Sequence, residues 1–422
     1  DWSSAIPGKP YFYPSVSLST VVSEFVNMPE KVDFLKVNAS WASVLSDLDP
    51  YSLSAAYSKS TTFGTLPSVT YPAGLFNASI APEKSTSFEV GMSTALFRNR
   101  LSADLTYYHT EDENQIINLP TSVTSGFTSR KVNGNVYKTN GFEVVLSAKP
   151  IVSGNFRWNT TLNWSRSVKR ITEIYNNERK SGNLFKGDRA DSYYSREWEK
   201  SADGQLILNS NGMPTRNPYL LNLGHTDPNW RIGFLNSFKI HDFTIDIDID
   251  GAWGGIMRSI THEKMWWGGK HPESVEYRDA EYAAGKPVYV PAGVVVVSGE
   301  LVRDIDGNVI TDSRKYQQNT TAVNWQSWSQ NYPYRNAVTE SESKKFANIF
   351  DRTFMKLRRV SIGYDLSKVV KLRKVNALDV SVYGYNLLVW KKIPYLDPDF
   401  GNDDNLQDPS ARYIGVSFNF KF

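Results

Sequence analysis

The 422-residue chain is written largely in a period of two. "FTIDIDIDGAW" (243–253) shows it best: Phe243, Ile245, Ile247 and Ile249 alternate with Thr244, Asp246, Asp248 and Asp250. Successive side chains of a strand point to opposite faces, so such a segment has one apolar and one wet face. The same parity predicts strands over 15–23, 35–41, 88–96, 101–109, 142–148, 156–166, 358–366, 378–390 and the terminal 411–422, and more poorly over 231–238. In 35–41, for instance, Leu35, Val37, Ala39 and Trp41 oppose Lys36, Asn38 and Ser40. That makes about eleven strands, close to the roughly 9–11 residues with which a tilted strand crosses a bilayer.

The connections alternate in length. Residues 97–100, 149–155 and 240–242 are short, whereas 47–84, 110–139, 167–228, 254–350 and 391–409 are long and polar. Loops of that length are uncommon inside compact soluble domains. Tight turns at one end and long loops at the other are the pattern of an outer-membrane barrel, with the turns periplasmic and the loops extracellular. A single alternating run is also what an edge strand of a soluble sandwich shows; the recurrence and the loop asymmetry favour the barrel. Asp246, Asp248 and Asp250 point the same way. In a dry core they are costly, and in a lumen they form an acidic ladder meeting water or a plug. The fold class expected is therefore all-β, an antiparallel transmembrane β-barrel.

Composition narrows the chemistry. Mean hydropathy is −0.42, and no stretch approaches the roughly 20 apolar residues of a membrane helix. Aromatic residues make up 13%, with 12 Trp and 23 Tyr. Trp158, Trp164 and Tyr107 sit on apolar rows near strand ends, as an interfacial girdle would. The absence of Cys excludes disulfides, thiolate metal sites and cysteine catalysis. A net charge of +3 gives no electrostatic case for nucleic acid. An odd strand count matters too. Single-chain bacterial barrels have even numbers, and an open edge cannot face lipid. Further N-terminal strands are thus expected to close the wall, on another polypeptide or outside this sequence.

Several stretches resemble the SusC/RagA family of TonB-dependent outer-membrane transporters of Bacteroidetes. They are "FYPSVSLSTVVSE" (12–24), "IAPEKSTSFEVGMSTALFRNRLSADLTYYHTEDENQI" (80–116), "TNGFEVVLSAKPI" (139–151), "DRTFMKLRRVSIGYDL" (351–366), "VYGYNLLVWKK" (382–392) and "DPDFG" (397–401), in family order. "DWSS" at the start resembles the family's Asp-Gly-Ser-Ser in an extracellular loop. The resemblance implies a barrel of about 22 strands, of which residues 1–422 supply the C-terminal half without the plug. It also implies partners: the N-terminal half of the transporter, a SusD-like surface lipoprotein, TonB acting through the plug, outer-membrane lipid, and an oligosaccharide or oligopeptide substrate. The final strand, with Tyr413, Phe418, Phe420 and Phe422, resembles the C-terminal signal for barrel assembly.

Candidate sites are few. "MWWGG" (265–269) and "NWQSWSQNYPYR" (324–335) place Trp266, Trp267, Trp325, Trp328, Tyr332 and Tyr334 in the longest loop. Flat aromatic faces there can stack on sugars or peptide side chains, rest on a lipoprotein lid, or pack the loop on itself. "DIDIDG" (246–251) starts like a calcium loop, but its twelfth position is Met257 rather than Glu. "HEKMWW" (262–267) lacks the second His of a zinc-protease helix, since Trp266 stands there. No nucleophile–base pairing or phosphate loop is found, so no cofactor, metal or enzymatic activity is expected. The rival readings are a passive porin, a barrel enzyme and a soluble glycan-binding sandwich.

Overall fold

In the computed structural model, residues 10–49, 55–332, 348–370, 377–399 and 410–421 are described. Eleven strands follow one another in chain order in a single sheet: β1 (Ser15–Val21), β2 (Val32–Ser46), β3 (Glu83–Leu96), β4 (Leu101–Glu113), β5 (Val136–Ser153), β6 (Phe156–Glu173), β7 (Trp230–Ile240), β8 (Phe243–Trp253), β9 (Phe354–Asp365), β10 (Ala377–Lys391) and β11 (Tyr413–Lys421). Every segment with period-two alternation contains a strand, although 15–23 ends in a 3-10 turn from Val22 and the last strand spans Tyr413–Lys421. Most run longer than their alternating cores. The connection expected over 149–155 shrinks to Gly154 and Asn155, because β5 continues through Ser153. The long connections carry small sheets and short helices of their own. Among the described residues, no helix is long and apolar enough to cross a membrane.

The residues cluster into two compact units. The first comprises Asp1–Ala190, Ile232–Asp246 and Gly363–Lys371. Its register lines up whole rows of side chains. Leu18, Ala39, Val90, Tyr107 and Phe142 stand directly opposite one another across β1 to β5. One residue along, Ser17, Ser40, Glu89, Tyr108, Gly141 and Ser167 do the same across β1 to β6. One row is apolar and the next largely polar, so the parity of the sequence has become two chemically distinct faces. Leu18, Val90, Tyr107 and Phe142 are exposed, with no protein over them. An apolar row of this extent needs an apolar neighbour.

Near the long-loop ends both faces carry paired charges, the first two of the following on the parity of the apolar row and the third on that of the polar row. Lys84 pairs with Glu113 at 2.8 Å, Lys138 with Glu111 at 3.0 Å, and Lys169 with Asp112 at 2.6 Å. Aromatic tips on the apolar rows find polar partners: the Trp158 indole N–H donates to Asn236 Oδ1 at 3.1 Å, and the Tyr107 hydroxyl donates to Asn140 Oδ1 at 2.9 Å. Trp158 also stacks on Phe238, and Trp164 meets Phe142 edge-on. The tight turns need left-handed backbone. Phe97, Arg98 and Asn99 have φ of 58°, 61° and 59°, and His241 has 54°.

The second unit comprises Asp191–Arg231, Ile247–Ile362 and Leu372–Phe422. It holds β11, which pairs antiparallel with β10 from Tyr385↔Tyr413 to Ala377↔Lys421. Ile414, Val416, Phe418 and Phe420 lie exposed on one side. Tyr413 belongs to the other parity, beside Gly415, against which the Tyr383 ring lies. Phe422 lies outside the described residues.

Gly141 tests the row structure. A Cβ there would sit 1.9 Å from Cζ of Tyr108, the residue opposite it. Gly141→Ala must therefore push Tyr108 off its place, at a cost of about 1–3 kcal/mol. The unfolding midpoint in detergent should fall accordingly. Gly154→Ala, where an added Cβ meets nothing within 4 Å, should leave it unchanged.

Candidate functional site

The longest connection of the second unit folds around three short helices: α1 (Ile260–Trp267), α2 (Arg278–Ala284) and α3 (Trp325–Asn331). Side-chain caps start two of them. Ser259 Oγ accepts from His262 N, and Asn324 Oδ1 accepts from Ser327 N. Such caps satisfy amides that a helix start leaves unpaired. Glu281 of α2 then fixes α3, accepting from Asn324 Nδ2 at 3.0 Å and from the Trp325 amide at 2.8 Å.

Trp266, Trp325 and Trp328 are only 5%, 5% and 4% exposed, and with Leu208 and Val323 they form a buried cluster. The Tyr289 ring meets Trp325 edge-on at 4.9 Å and lies tilted against Trp328 at 5.4 Å, and Trp325 Nε1 donates to Ser274 O. Their ring faces are thus taken by protein: these residues pack the loop on itself. Tyr332 leans on Trp328 at the edge of this cluster. Burial pushes the Tyr289 and Tyr332 phenols above their ordinary value. Tyr334 lies outside the described residues.

Trp267 is different. Its indole is 48% exposed, with Lys264 Nζ 5.4 Å from the ring centroid. It lines an open cleft of about 620 Å³ together with Arg278, Tyr282, Lys286, Gln326 and Ser329. Tyr282 stands almost wholly free at the rim. Ser329 Oγ is buried in the cleft wall and has no hydrogen-bond partner. One open indole, side-chain amides, two cations and an unpaired hydroxyl make a surface that can hold a polar molecule with a flat apolar face.

Acidic residues of β8 have partners on the next strand. Two of them are ion-paired with β9, which adds partners to the acidic ladder without moving it from its row. Arg359 Nε holds Asp248 at 2.7 Å, and Arg358 holds Asp250 through Nε at 2.6 Å and Nη2 at 2.7 Å. Asp246, half-buried, falls in the first unit. Arg358 and Arg359 are consecutive yet reach the same acidic row, and the apolar parity shifts across them, from Met355 and Leu357 to Val360 and Ile362.

The network continues into the connection before β11. Arg358 also bonds Asp399 at 2.6 Å. Lys356, 2% exposed, bonds Asp399 at 2.6 Å and Asp397. Burial alone would raise the Asp397 carboxyl; hydrogen bonds from Lys356 and Ser410 outweigh it and hold the group below its ordinary value. Arg352 donates to Pro398 O, Lys391 donates to Leu396 O, and Ile393 and Leu396 are buried against Met257. Residues 393–399 are therefore strapped to β9 by charge and to the loop by apolar packing.

A family model described as TonB dependent receptor-like, beta-barrel, matches residues 27–291. TonB-dependent receptor P3 of Formosa agariphila is 21% identical over 398 residues, covering 82% of this chain and 35% of that protein. TonB-dependent receptor P39 of the same organism is 24% identical over 165 residues, covering 38% of this chain and 16% of its own. The chain thus spans about a third of P3. Among solved structures, the RagAB peptide transporter is similar over 96% of this chain and 43% of that chain, with a TM-score of 0.66 and 16% identity. The RagAB peptide importer in the open-open state gives 0.68 and 15%, covering 100% and 44%. At these identities the likeness is one of fold.

Lys356→Met should leave Asp397 buried without its cation, which costs about 3–5 kcal/mol. Amide exchange over 393–399 should rise sharply. Lys392→Met breaks only exposed contacts, a pair with Asp351 and a cation–π approach to the Trp253 ring, and should shift the same readout by no more than about 1 kcal/mol.

Proposed function

Because this chain belongs to the family of TonB-dependent receptor-like β-barrels, we propose that it forms wall strands of an outer-membrane importer driven through TonB. The carrying observation is the pair of rows across β1 to β5, one apolar and largely exposed, the other largely polar. Lipid suits the first and a hydrated lumen the second. On this reading the tight turns are periplasmic and the long connections extracellular. The outer strands of the sheet, β1 and β11, each need a pairing strand, because lipid offers their backbone no hydrogen bonds. The remaining wall strands of the whole transporter supply them.

The cargo is a bulky nutrient, an oligosaccharide or a peptide, met first at the loop cleft around Trp267 and enclosed there with a SusD-like lipoprotein. The names of the RagAB structures give the peptide alternative a precedent of the same fold. The cleft's mixed lining suits either cargo. The wall itself carries no chemistry; it supplies the lumen, the loop contacts and the docking face.

Uptake by cells carrying the whole transporter tests this. Uptake should vanish when TonB is removed; uptake that persists by diffusion would establish a passive pore instead. Trp267→Ala should raise the half-saturating cargo concentration by about 2- to 10-fold, the worth of one aromatic contact. Trp328→Ala should act through stability instead, by emptying the buried cluster, at about 3–5 kcal/mol.

A further inference from the structure

Two histidines of the second unit are locked in the neutral state by their hydrogen bonds. His262 Nε2 lies 3.2 Å from Trp266 Nε1, which can only donate. That nitrogen must be bare, so Nδ1 carries the proton and donates to Asn348 Oδ1 at 3.0 Å. His271 Nδ1 accepts the Glu273 amide at 3.3 Å, so its Nε2–H donates to the Tyr395 hydroxyl at 3.1 Å. The two rings lie 5.2 Å apart. Trp266 stacks flat on His271 at 4.1 Å, and Tyr395 packs against both imidazoles.

A proton added to either ring puts N–H against N–H. At His262 it expels Trp266 Nε1; at His271 it expels the Glu273 amide. Two imidazoliums 5.2 Å apart would also repel. The surrounding charges offer little relief. On α1, Glu263 is held by Arg258 at 2.7 Å, and Lys264 lies over Trp267. In the 272–275 turn, Glu273 favours protonation of both rings, and burial overrides it. On α2, Arg278 is bound to Ser274 O and Gly269 O. From 349–351, Asp351 is paired with Lys392. From 393–396, only the Tyr395 phenol faces the pair.

We propose that His262 and His271 form an acid-sensitive latch: neutral, they tie α1 to the Tyr395 segment, and protonated, they release both. Burial pushes both rings below the usual histidine value, His271 further through its neighbour His262. Between about 6.5 and those lowered values, the open form takes protons that the closed form refuses. Closure is therefore complete above that window and is lost as pH falls through it. Because α1 carries Trp266 and Trp267, release also opens one wall of the cleft. The latch is independent of what the cleft binds.

Hydrogen exchange by mass spectrometry on the full-length protein in detergent, corrected for intrinsic rates from pH 7.5 to 5.0, tests it. Protection over 260–276 and 393–396 should fall by about tenfold per pH unit per histidine inside the window. Protection over 301–316, which holds the Glu199–Arg303–Arg314 ion pairs, should stay constant. The double variant His262→Gln, His271→Gln should lose the pH response. Should that variant fail to fold, the parent's histidine C2–H titration decides, since the chain has only five histidines: two must titrate below about 6.5. Protection that is flat with pH, a response that survives in a folded double variant, or titration of both rings at or above 6.5 would overturn the latch.

Discussion

Lipid gives a polypeptide backbone nothing to hydrogen-bond to, and the rest of this structure follows from that constraint. Strands must pair with their neighbours, so eleven of them run side by side in chain order. Pairing fixes the register, and register decides which side chains line up. With a period of two, Leu18, Ala39, Val90, Tyr107 and Phe142 fall into one row, and Ser17, Ser40, Glu89, Tyr108, Gly141 and Ser167 into the next. A slip of one residue at any pair would exchange the two faces. The small residue opposite Tyr108 and the indole and phenol tips bound to Asn236 and Asn140 are local consequences of holding that register.

The long connections answer to a different solvent. They are stabilised as a soluble domain is: a buried aromatic cluster, capped short helices and buried ion pairs. Residues 393–399 combine these devices. Lys356 and Arg358 of β9 reach Asp397 and Asp399 there, while Ile393 and Leu396 pack on Met257. A buried lysine is tolerable only with such partners. The consequence is a segment fixed to a strand on one side and to α1, through Tyr395 and His271, on the other.

Alternation made the strands legible. Phe243–Trp253 is a strand over the span its alternation marks, and the poorer 231–238 is part of β7. Strand ends were less legible: β5 runs on to Ser153 past a register shift between Ala148 and Ile151, and Lys149 and Pro150 at that irregularity break the alternation. The partners of Asp248 and Asp250 were hidden, since Arg359 and Arg358 lie 111 and 108 residues away. The adjoining arginines and the parity shift between Leu357 and Val360 were the available signal. Aromatic type alone did not separate Trp266 from Trp267. Neighbours on a helix point in different directions, so one is buried and the other open, and the capping residues Ser259 and Asn324 were the local sign that helices begin there. The histidine pair had no sequence signature: a helix and the turn after it bring His262 and His271 together.

In the proposed transporter wall the apolar row faces lipid and its neighbour faces water. The chain has no cysteine, so single cysteines can be placed along β3, at Phe88, Glu89, Val90, Met92 and Ser93, in the full-length protein in membranes. Spin labels there report collision with oxygen, which concentrates in lipid, and with a water-soluble nickel chelate. The account predicts strict alternation: oxygen access at Phe88, Val90 and Met92, and nickel access at Glu89 and Ser93. Nickel access at both parities, with no period of two, would contradict it.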